Sequence, residues 1–214
     1  MNIAVLAANK KQNKSKFDFT SLLLVVSVLF IITRLFLWGT YKVNGHSMDP
    51  TLSQNNYLVT INYSSIDRGD LVTAKEDNKV IIKRVIGLPN DTIEFKNDKL
   101  YVNGQEQDES YLNKFKEAFN TNRLHEEYSY NEAYQTLAAQ MTHFTLDKNG
   151  KSEFSITLKD DEYYLLGDNR PVSKDSREVG PFSRKQITGE VIIKNINPFK
   201  ASIFYTCFLL FIEK

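Results

Sequence analysis

Between Phe19 and Tyr41 the chain is apolar apart from Arg34 and a few hydroxyls. As a helix rising about 1.5 Å per residue, such a run is long enough to cross a hydrocarbon core of about 30 Å. The stretch is therefore predicted to be a transmembrane anchor. Arg34 falls in its distal third, where a long stem reaches the headgroups, and Trp38 and Tyr41 mark the same interface. A cleaved targeting segment also begins basic and turns apolar. Its apolar core, however, is about 7 to 15 residues long and ends in small side chains, whereas Leu35-Phe36-Leu37-Trp38 is bulky. Residues 1–18 are polar and carry Lys10, Lys11, Lys14 and Lys16, against Lys42 alone immediately after the span. The positive-inside rule then places the tail in the cytoplasm and everything from Lys42 onward outside the membrane.

The rest of the 214 residues suits one domain of ordinary size. Lys+Arg 27 against Asp+Glu 26 leaves a net charge of +1, so no overall field points to nucleic acid. A single cysteine, Cys207, excludes an intrachain disulfide, and three scattered histidines offer no zinc cluster. Catalysis would have to use hydroxyls, amines or carboxylates, without metal or cofactor. Short β-branched and aromatic runs bounded by Asn, Asp or Gly predict strands at Tyr57–Ile61, Asp70–Thr73, Lys79–Ile86, Thr92–Phe95, Leu100–Val102, Phe154–Leu158 and Glu162–Leu166. Asn97-Asp98 and Asn103-Gly104 read as turns, and Val191-Ile192-Ile193 follows a last turn signal at Gly189. The fold class is mainly β, a sheet-rich domain over residues 42–200 preceded by one helix at 19–41. From about 105 to 155 the chain turns polar, with a weak helical rhythm in Tyr134, Leu137, Ala138 and Met141, and reads as an inserted subdomain. The apolar tail at 201–214 is too short to span a membrane and is expected to pack on the domain or dip into the membrane surface.

Three pieces of this domain carry candidate chemistry. Gly45-His46-Ser47-Met48-Asp49-Pro50-Thr51-Leu52 lies just beyond the apolar run and offers Ser47 as a nucleophile, although a serine between glycine and proline also suits a plain turn. Lys83 lies in Val80-Ile81-Ile82-Lys83-Arg84-Val85-Ile86-Gly87-Leu88-Pro89, where alternation puts Ile81, Lys83 and Val85 on one face and Ile82, Arg84 and Ile86 on the other. Buried among such neighbours, an amine loses part of its preference for the charged form and can serve as a base near neutrality. The third piece is Gly167-Asp168-Asn169-Arg170-Pro171-Val172-Ser173-Lys174-Asp175-Ser176-Arg177. If extended after Pro171, it sets Ser173, Asp175 and Arg177 on one side, an ion pair bracing a hydroxyl. His46 is the immediate neighbour of Ser47, and adjacent side chains of an extended chain point apart, so it is not expected to be the base.

Together with Arg68-Gly69-Asp70-Leu71-Val72, these ordered boxes make the chain resemble bacterial type I signal peptidases, membrane-bound Ser/Lys proteases that cut leader peptides from exported proteins. The resemblance implies a signal-peptidase-like fold with Ser47 as acylating nucleophile and Lys83 as general base. It further implies that Ser173 fixes the lysine amine while Asp168, Asp175 and Arg177 support the site. Substrate would lie as an added strand, with small side chains entering shallow pockets at Tyr41, Val43, Met48, Leu52, Ile81 and Ile82, positions that could equally be core. The implied partners are signal peptides of exported preproteins and the lipid bilayer of the plasma membrane. Gly45 stands where some members carry a hydroxyl that helps hold the oxyanion, which leaves backbone N–H groups such as that of Ser47. Asn90 stands where glycine is usual, and Asn tolerates positive φ. Two other readings, a self-cleaving repressor and a noncatalytic assistant in surface assembly, are disfavoured by the anchor and by the presence of both Ser47 and Lys83.

Overall fold

The computed structural model describes residues 19–62, 64–124, 136 and 138–196. Helix α1 (Phe19–Phe36) is followed by eleven strands: β1 (Trp38–Lys42), β2 (Tyr57–Ile61), β3 (Leu71–Glu76), β4 (Lys79–Gly87), β5 (Thr92–Lys96), β6 (Lys99–Val102), β7 (Gln105–Glu106), β8 (Glu153–Thr157), β9 (Glu162–Leu166), β10 (Phe182–Ser183) and β11 (Ile187–Ile196). A short 3-10 turn (Ser110–Leu112) leads into α2 (Asn113–Asn120), and α3 (Ser176–Val179) is a single turn before β10. The mainly β class is as expected. The strands form a seven-stranded sheet, β1-β2-β11-β3-β4-β9-β10, and a four-stranded sheet, β7-β6-β5-β8. Every pairing in them is antiparallel.

The apolar run is not helical throughout. Helix α1 stops at Phe36, and Trp38–Lys42 pairs with β2 from Trp38↔Ile61 to Lys42↔Tyr57. Aromatic and β-branched residues serve a strand as well as a membrane interface, and here the free edge of β2 takes them. No helix among the described residues is long and apolar enough to cross a membrane. The apolar side chains of α1 nonetheless stand in the open, including Phe19, Leu22, Leu24, Val26 and Leu29. Gly189 is likewise no turn. It lies inside β11, at a shift in register against β3.

One apolar cluster joins the two sheets, and two more pack on the large one. Ile86, Tyr164 and Leu166 of the large sheet meet Ile93, Phe95, Leu100 and Val102 of the small one. Val72, Ala74, Val85, Leu165, Phe182 and Ile187 pack together from the large sheet and the segments beside it. Val43, Met48, Leu52, Leu58 and Leu71 form a third cluster. At Asn97-Asp98 both residues take positive φ, as a two-residue hairpin turn requires, and Asn90 does so at φ 69°. The insertion has its own core of Leu112, Phe115, Ala118, Leu124, Ala138 and Phe144. Tyr134, Leu137, His125, Cys207 and the tail at 201–214 lie outside the described residues.

Candidate active site

Strand β4 sets the geometry. Its ladder with β9 begins at Arg84↔Leu166, so the chain leaves the sheet at Gly167, close to Lys83. Lys83 is 3% exposed, and its Nζ donates to Ser47 Oγ across 3.0 Å. Burial lowers the Lys83 pKa; Asp175, Glu76 and Asp168 pull it back up, Arg177 pulls it further down, and the net direction is down. The lysine is thus biased toward the neutral amine, the form able to take a proton.

Ser47 sits on a turn entered through Gly45, whose φ of 91° suits glycine. The turn is anchored from below by Met48 and Leu52, at 1% and 0% exposure. Burying such side chains contributes about 1.5 to 3 kcal/mol each. The turn is also held from the side. Asn169 N–H donates to the Ser47 carbonyl at 3.1 Å, and Asn169 Nδ2 donates to the His46 carbonyl at 2.9 Å. Arg84 grips Asp168 with two donors, Nε at 2.8 Å and Nη2 at 2.6 Å, while Thr51 donates to the same carboxylate at 2.5 Å. Asp168 therefore ties strand β4 to the nucleophile turn. The His46 ring is engaged with Asp49 at 2.8 Å, and His143 lies against Thr142.

The third box is not extended. Val172 and Ser173 N–H both donate to the Asn169 carbonyl, which folds the chain back, and Asp175 caps α3 through the Arg177 N–H. Asp175 and Arg177 do pair, at 2.8 Å and nearly fully buried. Breaking such a pair from one side leaves a buried charge uncompensated, a loss of about 3 to 5 kcal/mol. Burial alone would raise the Asp175 pKa, but the Arg177 guanidinium and the Gly167 N–H hold it below the usual carboxylate value. Arg177 braces the backbone of Ser173, donating to the Ser173 and Arg170 carbonyls, rather than its hydroxyl. Ser173 is buried, and its Oγ has no hydrogen-bond partner, so the contact with the Lys83 amine is not formed. It faces Gly167, where a Cβ would overlap both Ser173 Oγ and the Ser47 carbonyl oxygen.

The expected pocket residues divide. Val43, Met48 and Leu52 share the cluster beneath Ser47, with Tyr41 and Ile82 packed against it. Ile81 points to the other face and joins the cluster of Val72 and Val85. Arg84, Thr51 and Asn169 stood inside the boxes unassigned; each makes a polar contact to the nucleophile turn or to its clamp, which adjacency in sequence does not disclose.

A serine hydroxyl within hydrogen-bond reach of a buried amine has the makings of acyl transfer, the chemistry of Ser/Lys hydrolases. Comparison with known proteins narrows that class. The family model described as signal peptidase, peptidase S26, matches residues 16–195, and the chain belongs to this family. A signal peptidase I of Streptococcus pneumoniae is 44% identical over 178 residues, covering 79% of this chain and 87% of the relative. Signal peptidase I S of Bacillus subtilis is 35% identical, covering 85% and 89%. Signal peptidase IB of Staphylococcus aureus is 37% identical, covering 77% and 80%. The crystal structure of a signal peptidase I from Enterococcus faecalis aligns at a TM-score of 0.43 and 27% identity, over 59% of this chain and 97% of that one.

Proposed function

We propose that the chain is a membrane-bound serine endopeptidase that removes N-terminal signal peptides from exported proteins. The observation that carries the mechanism is the 3.0 Å contact between Lys83 Nζ and Ser47 Oγ, with the lysine buried. Neutral Lys83 takes the Ser47 proton as Oγ bonds to the scissile carbonyl carbon. The Ser47 N–H receives the developing oxyanion in place of a hydroxyl at Gly45. The ammonium then returns its proton to the departing amine as the C–N bond breaks, and in a second round Lys83 activates the water that cleaves the acyl-enzyme. Asp168, Asp175 and Arg177 hold the loop that frames the dyad, and the buried, unpartnered Ser173 hydroxyl lies on that same loop.

Substrate docking follows from the free edge of β4. Its pairing with β9 starts at Arg84, so the β9 side of Val80–Ile82 is open to an extended peptide as an added strand. Tyr41, Val43, Met48, Leu52 and Ile82 then floor a shallow recess that rejects large side chains by overlap, and Ile81 lines the approach from the other face. Helix α1 supports placement in the plasma membrane, since most of its apolar side chains from Phe19 to Ile32 are open. Its 18 residues rise about 27 Å. The few ångströms missing from a core of about 30 Å are within what local thinning absorbs. The lysines at 10, 11, 14 and 16 put its start in the cytoplasm.

The test is incubation of the purified chain in detergent with an exported precursor, followed by mass analysis. Wild type is expected to release one leader fragment, cut after a small residue, and Ser47→Ala and Lys83→Ala to release none. An intact precursor with wild type, or the same fragment from both variants, would overturn the proposal.

A further inference from the structure

Beyond the dyad, a second set of buried groups connects the inserted subdomain to the loop that holds the nucleophile turn. Glu109 and Tyr111 lie in the polar insertion, where no motif marks them. Glu109 is 7% exposed and Arg170 only 1%. The Glu109 carboxylate accepts from Arg170 Nη2 in a short contact and from Lys116 Nζ at 3.1 Å. Arg170 in turn donates through Nε to the Gly167 carbonyl at 3.0 Å. Tyr111 makes a parallel connection. Its hydroxyl donates to Glu109 at 3.2 Å, while its ring lies 4.0 Å from the Arg84 guanidinium carbon, on the arginine that grips Asp168.

Both connections reach one segment, Gly167 to Arg170. That segment is the one whose Asn169 donates to the Ser47 and His46 carbonyls. We propose that Glu109 and Tyr111 are positioning residues for the reaction, holding the Gly167–Arg170 loop, and through it Ser47, against Lys83. A fully buried guanidinium needs a fixed carboxylate to stay where it is, and Glu109 is the carboxylate that meets Arg170. An aromatic face over Arg84 orients its planar fork toward Asp168. The insertion is thus part of the catalytic framework and not a decoration upon it.

This inference rests on the peptidase reading, so its test needs one readout that uses no substrate. Glu109→Gln, Tyr111→Leu and Tyr111→Phe would be compared with wild type in kcat and KM on a precursor and in amide hydrogen exchange. Displacement of a reacting group by about 1 Å can cost on the order of 100-fold. The expectation is a fall in kcat of about 10- to 100-fold for Glu109→Gln and Tyr111→Leu, with KM within about twofold. Tyr111→Phe, which keeps the ring over Arg84, is expected to recover most of the Tyr111→Leu loss. Exchange should quicken at residues 167–170 and 46–49 and stay unchanged in β2 and β3, which separates a displaced loop from global unfolding. If Glu109→Gln unfolds, the Tyr111 pair decides. An unchanged kcat, a change in KM alone, or exchange unaltered at 167–170 would overturn the proposal. A wild type that cuts no precursor would instead overturn the peptidase reading and leave the exchange measurement to judge this one.

Discussion

Lys83 places a titratable amine where charge is costly, and that cost is measurable without any substrate. Its folded pKa lies below the unfolded one, so between the two values the unfolded chain binds the extra proton. The penalty of burying an ammonium is fully present below the folded pKa and fades as pH rises toward the ordinary lysine range. Lys83→Met is therefore expected to melt above wild type at neutral pH, with the gap narrowing toward pH of about 10.5. Thermal melts at several pH values check it, and a gap that stays constant or widens would contradict the burial argument. At this scale Ser47 and Lys83 were legible in the sequence because each sits in a box of characteristic neighbours. Arg84 and Asn169 were in plain view but silent, since their partners, Asp168 and the Ser47 carbonyl, come from distant segments. Glu109 and Tyr111 had no local signal at all; only folding brings them to Arg170 and Arg84.

Among the elements, the turn at Gly167 decides how closely the third box approaches the nucleophile. An added Cβ there would overlap both the Ser47 carbonyl and the Ser173 side chain, so the loop and the nucleophile turn must shift apart. Gly167→Ala is expected to keep the sheet signal in circular dichroism and to lose about 10- to 100-fold in kcat. Steady-state kinetics check this, and a kcat within about twofold of wild type would show that the contact yields without consequence. The interior strands were legible because β-branched runs between Asn, Asp and Gly leave few alternatives; β2 and β9 begin and end where the pattern says. β1 was hidden inside the apolar run, and β7 and β10, of two residues each, are too short to show a period. Gly189 misled because a bulge and a turn recruit the same residue. The third box departs from strand alternation because its chain turns back on its own carbonyls.

At the scale of the whole molecule, the proposed function has helix α1, the sheet that carries Lys83 and the insertion work together at a membrane surface. Position matters to it: a substrate emerging from the bilayer would meet the open edge of β4 and then the Ser47 turn. If α1 is an anchor, alkaline carbonate should leave the full chain with membranes, and deletion of residues 1–36 should release it. Release of the full chain by carbonate would sink that placement. The mainly β architecture was legible from composition and turn signals, whereas the division into two packed sheets was not, because it depends on which faces of β4, β5 and β9 meet. The central claim, a serine made nucleophilic by a buried lysine, is tested most directly by kcat/KM against pH for cleavage of an exported precursor. The expected profile has an ascending limb with an apparent pKa below the ordinary lysine range, and Lys83→Met is expected to lose at least about 1,000-fold. An ascending limb at the pKa of free lysine, or an unchanged profile in Lys83→Met, would contradict it.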